Sequence, residues 1–213
     1  MKKTLIAIAC VLFAATTNAQ EKNGFRLGLT AHPNFGFIKA EGGKGNGTNL
    51  GFTYGLLGDF NFAENYSFAT GLTITTINGK STEINPVQYT APGTYDLKYK
   101  MQYLQIPLSI KLKTDEKDDM KFYGQFGLTT DFRLGARYDV EQGNTPLADG
   151  VKATDHTKFF RAGMLIGGGV EYRLSGKTSL LGGITYNNGL TNIAKKPHSV
   201  KNHYVGINIG VFF

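Results

Sequence analysis

Apolar and polar residues alternate along most of this chain, from about residue 24 to its end. The clearest runs extend from Tyr103 to Lys113 and from Tyr204 to Phe213. Because a period of two places successive side chains on opposite faces of a strand, both runs predict β-strands with one apolar face. In the first run the apolar face carries Leu104, Ile106, Leu108, Ile110 and Leu112, and in the second it carries Val205, Ile207, Ile209, Val211 and Phe213.

Six further segments alternate less cleanly, and helical periodicity is nearly absent. Strands in globular proteins usually have about five or six residues, whereas a membrane-spanning strand needs about nine to eleven. Each of the eight predicted strands has roughly ten residues or more, a length that favours a membrane over a soluble β-sandwich. The six segments lie near residues 24–37, 50–62, 66–77, 119–138, 158–174 and 177–190.

The connections between these strands alternate in length. Short ones follow the second, fourth and sixth strands, and long ones follow the first, third, fifth and seventh, at about 39–49, 78–97, 139–157 and 190–200. Short turns on one side and long external loops on the other are typical of outer-membrane barrels. The sequence therefore predicts an all-β fold, an eight-stranded antiparallel up-and-down transmembrane β-barrel. A soluble all-β sandwich is the alternative.

Charges of both signs lie on the polar face of the predicted strands. An eight-stranded barrel has an interior that side chains just fill. Asp131, Arg133, Arg161 and Glu171, on adjacent strands, predict either a paired plug or a gated polar pathway. Other charged and ionisable residues predicted to face the lumen are Arg26, His32, Asp59, Lys111 and Arg173. Aromatic girdles at the membrane interfaces are predicted at Phe25, Phe62, Tyr66, Tyr138, Phe160 and Tyr172.

Composition agrees with a two-sided strand. The chain has 213 residues, of which 28 are glycine, and only 18% are charged. Glycine relieves crowding beside bulky side chains in a narrow lumen. Past residue 20 there is no apolar run of about 20 residues, which excludes a transmembrane helix in the mature chain. The mean hydropathy of −0.20 follows from averaging outward apolar with inward polar residues.

The first 19 residues have the pattern of a secretory signal peptide, with Lys2 and Lys3 before an apolar stretch and small residues up to Ala19. Residues 20–213 would then form the barrel domain. Cys10 offers an alternative lipoprotein cleavage site, although apolar residues continue beyond it. Cleavage after Ala19 leaves no cysteine and lowers the formal charge from +7 to +5. An exported protein would rarely meet nucleic acid, and none is expected as a partner.

The stretch Tyr103-Leu104-Gln105-Ile106-Pro107-Leu108 resembles the strand-four Tyr-Leu-x-Ile-Pro-Leu stretch of the PorT-like outer-membrane β-barrel family. Residues 23–28 and 211–213 agree more loosely. The resemblance implies an eight-stranded barrel in the outer membrane of a gram-negative bacterium, and it raises a role in secretion. The terminal Phe213 resembles the signal that barrel assembly machinery reads, so this machinery and outer-membrane lipid are expected partners.

The sequence contains no convincing catalytic, cofactor or metal constellation. The nearest Ser/His candidates are His198, Ser199 and His203, with Asp155 and His156 in the third long loop. Adjacent residues of an extended segment point apart, whereas a catalytic pair needs hydrogen-bond reach. The histidines, including His32, follow no metal-ligand spacing. The acidic turn Asp115–Asp119 lacks a calcium-loop pattern, and the glycine-rich segment 42–47 is interpreted as a flexible loop.

The sequence thus predicts a non-enzymatic outer-membrane barrel without a cofactor, which acts through its scaffold and external loops in surface interaction or envelope integrity. A protein partner at these loops is expected. Three alternatives remain open: an accessory component of an outer-membrane secretion machinery, a narrow pore, and a lipid-modifying barrel enzyme.

Overall fold

Antiparallel β-strands form the whole framework of the computed structural model, which describes residues 24–40, 44–84, 93–143, 145–195 and 199–213. The predicted signal peptide, Cys10, Gly42 and His198 lie outside the described residues. The strands are β1 (Phe25–Ala40), β2 (Lys44–Ala63), β3 (Tyr66–Ile84), β4 (Thr94–Lys113), β5 (Met120–Gln142), β6 (Thr145–Lys152), β7 (Phe160–Ser175), β8 (Thr178–Gly189) and β9 (Val200–Phe212).

Eight of these strands close into an up-and-down barrel. Each pairs with its neighbours along the chain, except that the short β6 pairs with β5 alone and β5 continues the ring to β7. The ring closes between β1 and β9, where Leu29 lies opposite Val211 and Lys39 opposite Lys201. Closure matters in a membrane because lipid cannot satisfy the hydrogen-bonding groups of an open sheet edge.

The outer wall of the barrel carries a continuous apolar band, and the alternation read from the sequence is confirmed in most strands. On β4 and β9 every predicted apolar residue faces outward and its neighbours face the lumen. No helix among the described residues is long and apolar enough to cross a membrane. Large apolar residues exposed on the band include Leu27, Leu29, Phe35, Phe37, Leu50, Phe52, Leu56, Phe60, Phe62, Leu108, Leu112, Phe122, Phe126, Leu128, Leu134, Ile166, Ile184, Ile207, Ile209 and Phe213.

The predicted alternation of β5 is wrong in its second half. Tyr103 lies opposite Arg133 and Gln102 opposite Gly135, so Leu134 is an additional residue in β5. Such a β-bulge shifts the side-chain phase by one residue. Tyr138, predicted for an outer aromatic girdle, is therefore buried inside the barrel. Pattern alone did not reveal the bulge because Phe132, Leu134 and Tyr138 continue the period of two across it.

The strands continue into segments predicted as long loops. β1 and β2 extend to Ala40 and from Lys44, and β3 and β4 extend to Ile84 and from Thr94. The third predicted loop, 139–157, contains the end of β5 and the added strand β6. In the extension of β4 the period of two continues with the opposite phase, so that the buried Tyr95, Leu97 and Met101 alternate with outer polar residues.

The short connections are tight turns, as predicted. Between β4 and β5, Lys117 bridges to Met120 around Asp118 and Asp119, whose φ angles are 52° and 61°. Positive φ at both central residues defines the type I′ turn that favours hairpins. Gly176, with φ of 55°, turns the chain between β7 and β8. These turns place the ends of the lumen-lining strands at one rim.

Candidate functional site

The lumen contains a dense group of charges near the short turns, which we call the turn-side cluster: Arg26, Asp59, Lys111, Lys113 and Glu171. Arg26 Nη2 lies 2.9 Å from Asp59 Oδ2 and 2.7 Å from Glu171 Oε2. Lys111 Nζ lies 3.0 Å from Asp59 Oδ2 and also pairs with Glu171. Lys113 Nζ is 3.3 Å from Asp59 Oδ2. Four strands, β1, β2, β4 and β7, are thereby tied together through two carboxylates.

Aromatic rings complete the turn-side cluster. The Arg26 guanidinium lies 4.6 Å from the centroid of the Phe212 ring, and Lys111 Nζ lies 4.6 Å from the Tyr123 ring and 4.9 Å from Phe212. Cations attract the negative face of an aromatic ring, more strongly where water is excluded. Phe212, the penultimate residue, is therefore part of the lumen network, while Phe213 lies on the outer band.

A second group, the loop-side cluster, is centred on Arg161. Arg161 forms an ion pair with Asp131, and neither residue is exposed to solvent. Its Nε donates to Asn202 Oδ1 at 2.6 Å, and its Nη2 donates to Asn187 Oδ1 at 2.6 Å and to the backbone oxygen of Asn202 at 3.0 Å. Asn187 Nδ2 in turn donates to Thr129 Oγ1 at 3.1 Å. A buried guanidinium is tolerated because several of its N–H groups meet acceptors.

Gly163 makes room for the loop-side cluster. A Cβ atom at this position would lie 2.6 Å from Asn187 Oδ1, 2.8 Å from Thr129 Oγ1 and 3.1 Å from Arg161 Nη1. Any side chain there would displace the network. The high glycine content of the sequence therefore has the predicted use at this position.

Above the loop-side cluster, on the side of the long connections, the interior is apolar. We call this set the apolar plug. It is contributed by the five barrel strands β1, β3, β4, β5 and β9 and by the connections that follow β6 and β8. Its buried members are Ile38, Ile77, Tyr95, Leu97, Met101, Tyr103, Ala136, Tyr138, Val140, Ala153, Ile193, Val200 and Tyr204. The bulge in β5 supplies three of these residues, because it turns Ala136, Tyr138 and Val140 inward.

Tyr204 links the apolar plug to a polar cavity below it. The Tyr204 hydroxyl donates to Gln105 Oε1 at 2.8 Å. Both residues line a cavity of about 80 Å³ whose wall also includes His32, Asp59 and Lys111. A polar space of this size accommodates several water molecules. A wider recess of about 290 Å³ lies at the short-turn rim.

The structure separates the four lumen charges that sequence placed on adjacent strands. Asp131 and Arg161 pair in the loop-side cluster, whereas Glu171 belongs to the turn-side cluster. Arg133 joins neither cluster. Its Nη1 donates to the backbone oxygens of Thr154 and Thr157, each at 2.7 Å, and so holds the segment that follows β6 against the barrel. Arg173, predicted for the lumen, lies half-exposed at the short-turn rim and pairs with Glu116.

The candidate catalytic residues that the structure describes, Asp155, His156, Ser199 and His203, show no side-chain hydrogen bond with one another. Ser199 Oγ donates to Asn192 Oδ1 at 2.9 Å. Asp155 and His156 are exposed in the turn after β6, and His203 lies on β9. Among the described residues, no three His, Cys, Asp or Glu side chains are grouped so that they could hold a metal ion. The geometry of the lumen is that of charge pairing and packing.

Sequence reasoning overlooked the amides of the loop-side cluster. Asn187 and Asn202 are fully buried and accept from Arg161. Both occupy inward positions of their strands, so the period of two would have placed them in the lumen once the strand ends were known. The signal of the apolar plug was an alternation of the opposite phase, as at Tyr95 and Leu97, which lie within a segment predicted as a loop.

Comparison with known proteins agrees with this architecture. A family model described as outer membrane protein beta-barrel domain matches residues 18–195. The chain belongs to this family. It is accordingly an outer-membrane β-barrel protein, and the apolar band is the surface that meets lipid. No curated protein matches the chain.

The chain is similar to solved outer-membrane barrels at low sequence identity. OprG from Pseudomonas aeruginosa is 13% identical, with a TM-score of 0.52, over 89% of this chain and 96% of that one. Neisserial surface protein A is 18% identical, with a TM-score of 0.49, over 87% and 95% of the two chains. At such identity the similarity to OprG supports the fold and carries no functional assignment.

Proposed function

We propose that this protein is a non-enzymatic scaffold of the outer membrane that acts through the surface formed by its long connections. The observation that carries the proposal is the division of the molecule into a filled interior and a structured rim. Paired charges and the apolar plug occupy the lumen, whereas β5 and β6 continue as a hairpin on the side of the long connections.

The β5–β6 hairpin is held in a defined position. Tyr138 lies opposite Val151, and Val151 packs against the apolar plug. Gly150 N donates to Asp139 Oδ1 at 2.8 Å, and Arg133 anchors the segment after β6. An ordered surface loses less conformational freedom when it binds, which favours a recognition role. A protein partner or a component of the envelope is the proposed ligand.

Residues 103–108, which carry the PorT-like resemblance, have a structural role in the barrel and give little support to a role in secretion. Tyr103, Gln105 and Pro107 face the lumen, where Tyr103 belongs to the apolar plug and Gln105 accepts from Tyr204. Their neighbours Leu104, Ile106 and Leu108 face the lipid. This stretch is thus explained by packing on both faces of β4 and does not itself favour a partner in secretion.

Partner capture from detergent-solubilised outer membranes tests the proposal. The wild-type chain is compared with a variant in which residues 145–152 are replaced by a flexible Gly/Ser segment. Heat-modifiable gel migration confirms that both barrels are folded. We expect a partner that the wild type retains and the variant loses. Equal capture by both, or deacylase or acyltransferase activity of the purified wild type that is lost in Ser199→Ala, would overturn the proposal.

A further inference from the structure

Cations lie directly opposite one another on the outer wall of the barrel, near the ends of the strands on the long-connection side. Lys39 on β1 is opposite Lys201 on β9. On the other side of the barrel, Lys100 on β4 is opposite Arg137 on β5, and Arg137 is opposite Lys152 on β6. Like charges directly opposite in a sheet repel and destabilise it. Because opposed cations recur at separate strand pairs, nearby negative charge is needed to offset their repulsion.

These cations face outward. On β1, Ile38 is buried in the apolar plug, so the exposed Lys39 shares the outer wall with Phe37. On β5, Ala136 and Tyr138 are buried, so the exposed Arg137 points away from the lumen. Lys39 and Arg137 lie two and three residues beyond Phe37 and Leu134, which belong to the lipid-facing band. The side chains are long enough to meet the headgroup layer.

The protein neutralises part of this charge. Lys98 pairs with Glu141, and Lys100 Nζ lies 2.6 Å from Asp139 Oδ2 and 3.9 Å from Asp149 Oδ1. No such ion pair joins Lys39, Arg137, Lys152 or Lys201 to another residue within the described ranges. We call these four residues the basic girdle. The remaining positive charge lies where an anion from outside the chain could meet it.

The short-turn end differs. Its outward positions bear Phe62, Tyr66, Phe122 and Tyr172, all exposed. Its cations face the lumen, as Arg26 and Lys111 do, or lie at the rim near acidic residues, as Arg173 does beside Glu116. The two rims of the lipid-facing band therefore present different chemistry, aromatic at one and basic at the other.

We propose that the basic girdle binds phosphate groups of anionic lipids in the leaflet that surrounds the long-connection end of the barrel. Phosphate oxygens accept charge-assisted hydrogen bonds from lysine and arginine, and they would relieve the repulsion between the opposed cations. Continuity of the basic girdle with the lipid-facing band favours a membrane lipid over a soluble ligand. This inference requires the barrel to lie in a membrane. It does not depend on the ligand proposed for the surface formed by the long connections.

Electron spin resonance of spin-labelled lipids tests this inference. The full chain is reconstituted in phosphatidylcholine vesicles that contain either spin-labelled phosphatidic acid or spin-labelled phosphatidylcholine. The motionally restricted fraction of each label reports its relative association with the barrel. A lysine or arginine near an anionic surface contributes about a five-fold preference, so we expect phosphatidic acid to be enriched several-fold. High salt should reduce the enrichment.

Matched variants locate the binding site. We expect the preference for phosphatidic acid over phosphatidylcholine to fall to about one in the quadruple variant Lys39→Gln/Arg137→Gln/Lys152→Gln/Lys201→Gln. The preference should be retained in a triple control variant at the short-turn end, Lys117→Gln/Lys121→Gln/Lys177→Gln. Heat-modifiable migration checks that each variant is folded. Equal association of both labels with the wild type, or a preference that survives the first variant, would overturn the proposal. Heparin binding that depends on the girdle, with no lipid preference, would assign it instead to a soluble polyanion.

Discussion

Asp131 on β5 lies directly opposite Arg161 on β7, and the two form an ion pair that is fully buried in the lumen. Their pairing joins two strands, β5 and β7, that are separated in sequence by the short strand β6. The amides of Asn187 on β8 and Asn202 on β9 extend the same network around the barrel. The interior charges therefore connect strands rather than lining an open path.

Arg161→Met should destabilise the folded barrel by about 3–5 kcal/mol, because it leaves the Asp131 carboxylate buried without its partner. Urea unfolding in detergent micelles, followed by circular dichroism, measures the change in the free energy of unfolding. The double variant Asp131→Leu/Arg161→Met should recover part of the loss, since it removes both charges.

The control for that experiment is Arg173→Met, which removes the exposed pair with Glu116. A solvent-exposed ion pair contributes about 0–1 kcal/mol, so this variant should remain close to the wild type. If Arg161→Met were no less stable than Arg173→Met, the loop-side cluster would not stabilise the barrel.

Gly163→Ala should destabilise the barrel by about 1–3 kcal/mol, the usual cost of overpacking, because the methyl group would displace Asn187, Thr129 and Arg161. Gly124→Ala is the matched control. A Cβ atom at Gly124 meets nothing within 4 Å and lies on the exposed face of β5. The thermal midpoint of heat-modifiable migration compares the two variants. Equal loss in both would show that strand propensity, and not space in the lumen, decides the effect.

The β5–β6 hairpin should loosen at acidic and at strongly alkaline pH. The hydrogen bond to Asp139 raises the pKa of Lys100 above its ordinary value. Partial burial opposes ionisation of Asp139, but hydrogen bonds from Lys100 and Gly150 hold its pKa below the ordinary value. The contribution of Asp139 is present above its unfolded pKa and is lost as pH falls through the lower folded pKa. That of Lys100 is present below its unfolded pKa and is lost as pH rises through the higher folded pKa.

The pairing should therefore be complete between about pH 4 and pH 10. The amide chemical shift of Gly150, followed by NMR in micelles, reports the acidic limit through its hydrogen bond to Asp139. Asp139→Asn should remove this acidic inflection. An unchanged titration of Gly150 in Asp139→Asn would contradict the assignment.

The period of two sufficed to predict the lipid-facing half of the molecule. Leu104 and Ile209 face outward as predicted, because lipid requires apolar residues at alternate positions wherever a strand crosses the membrane. The lumen positions of Asp59, Lys111 and Arg161 followed from the same rule. The ion-pair partners of these residues could not be predicted in the same way. Strand order shows which strands are neighbours, but pairing also depends on register and on how far each side chain reaches across the lumen.

Features beyond the membrane were the least predictable. The bulge at Leu134 turned Tyr138 inward. In the extensions of β4 and β5 the alternation is inverted, because water lies on the outer side and packing on the inner side. The apolar plug is built from this part of the chain. Its residues on β4 and β5 keep the period of two in the opposite phase, because they are apolar on the face that is polar lower in the barrel.

The central claim is that paired charges and the apolar plug fill the interior, so that the protein acts through its surface. Planar-bilayer recording of the purified wild-type barrel tests this most directly, with a general porin in the same bilayer as the positive control. The account predicts no discrete conductance steps from the folded wild type under conditions in which the porin conducts. Reproducible steps whose ion selectivity changes in Arg161→Met would show that ions pass through the loop-side cluster and would contradict the claim.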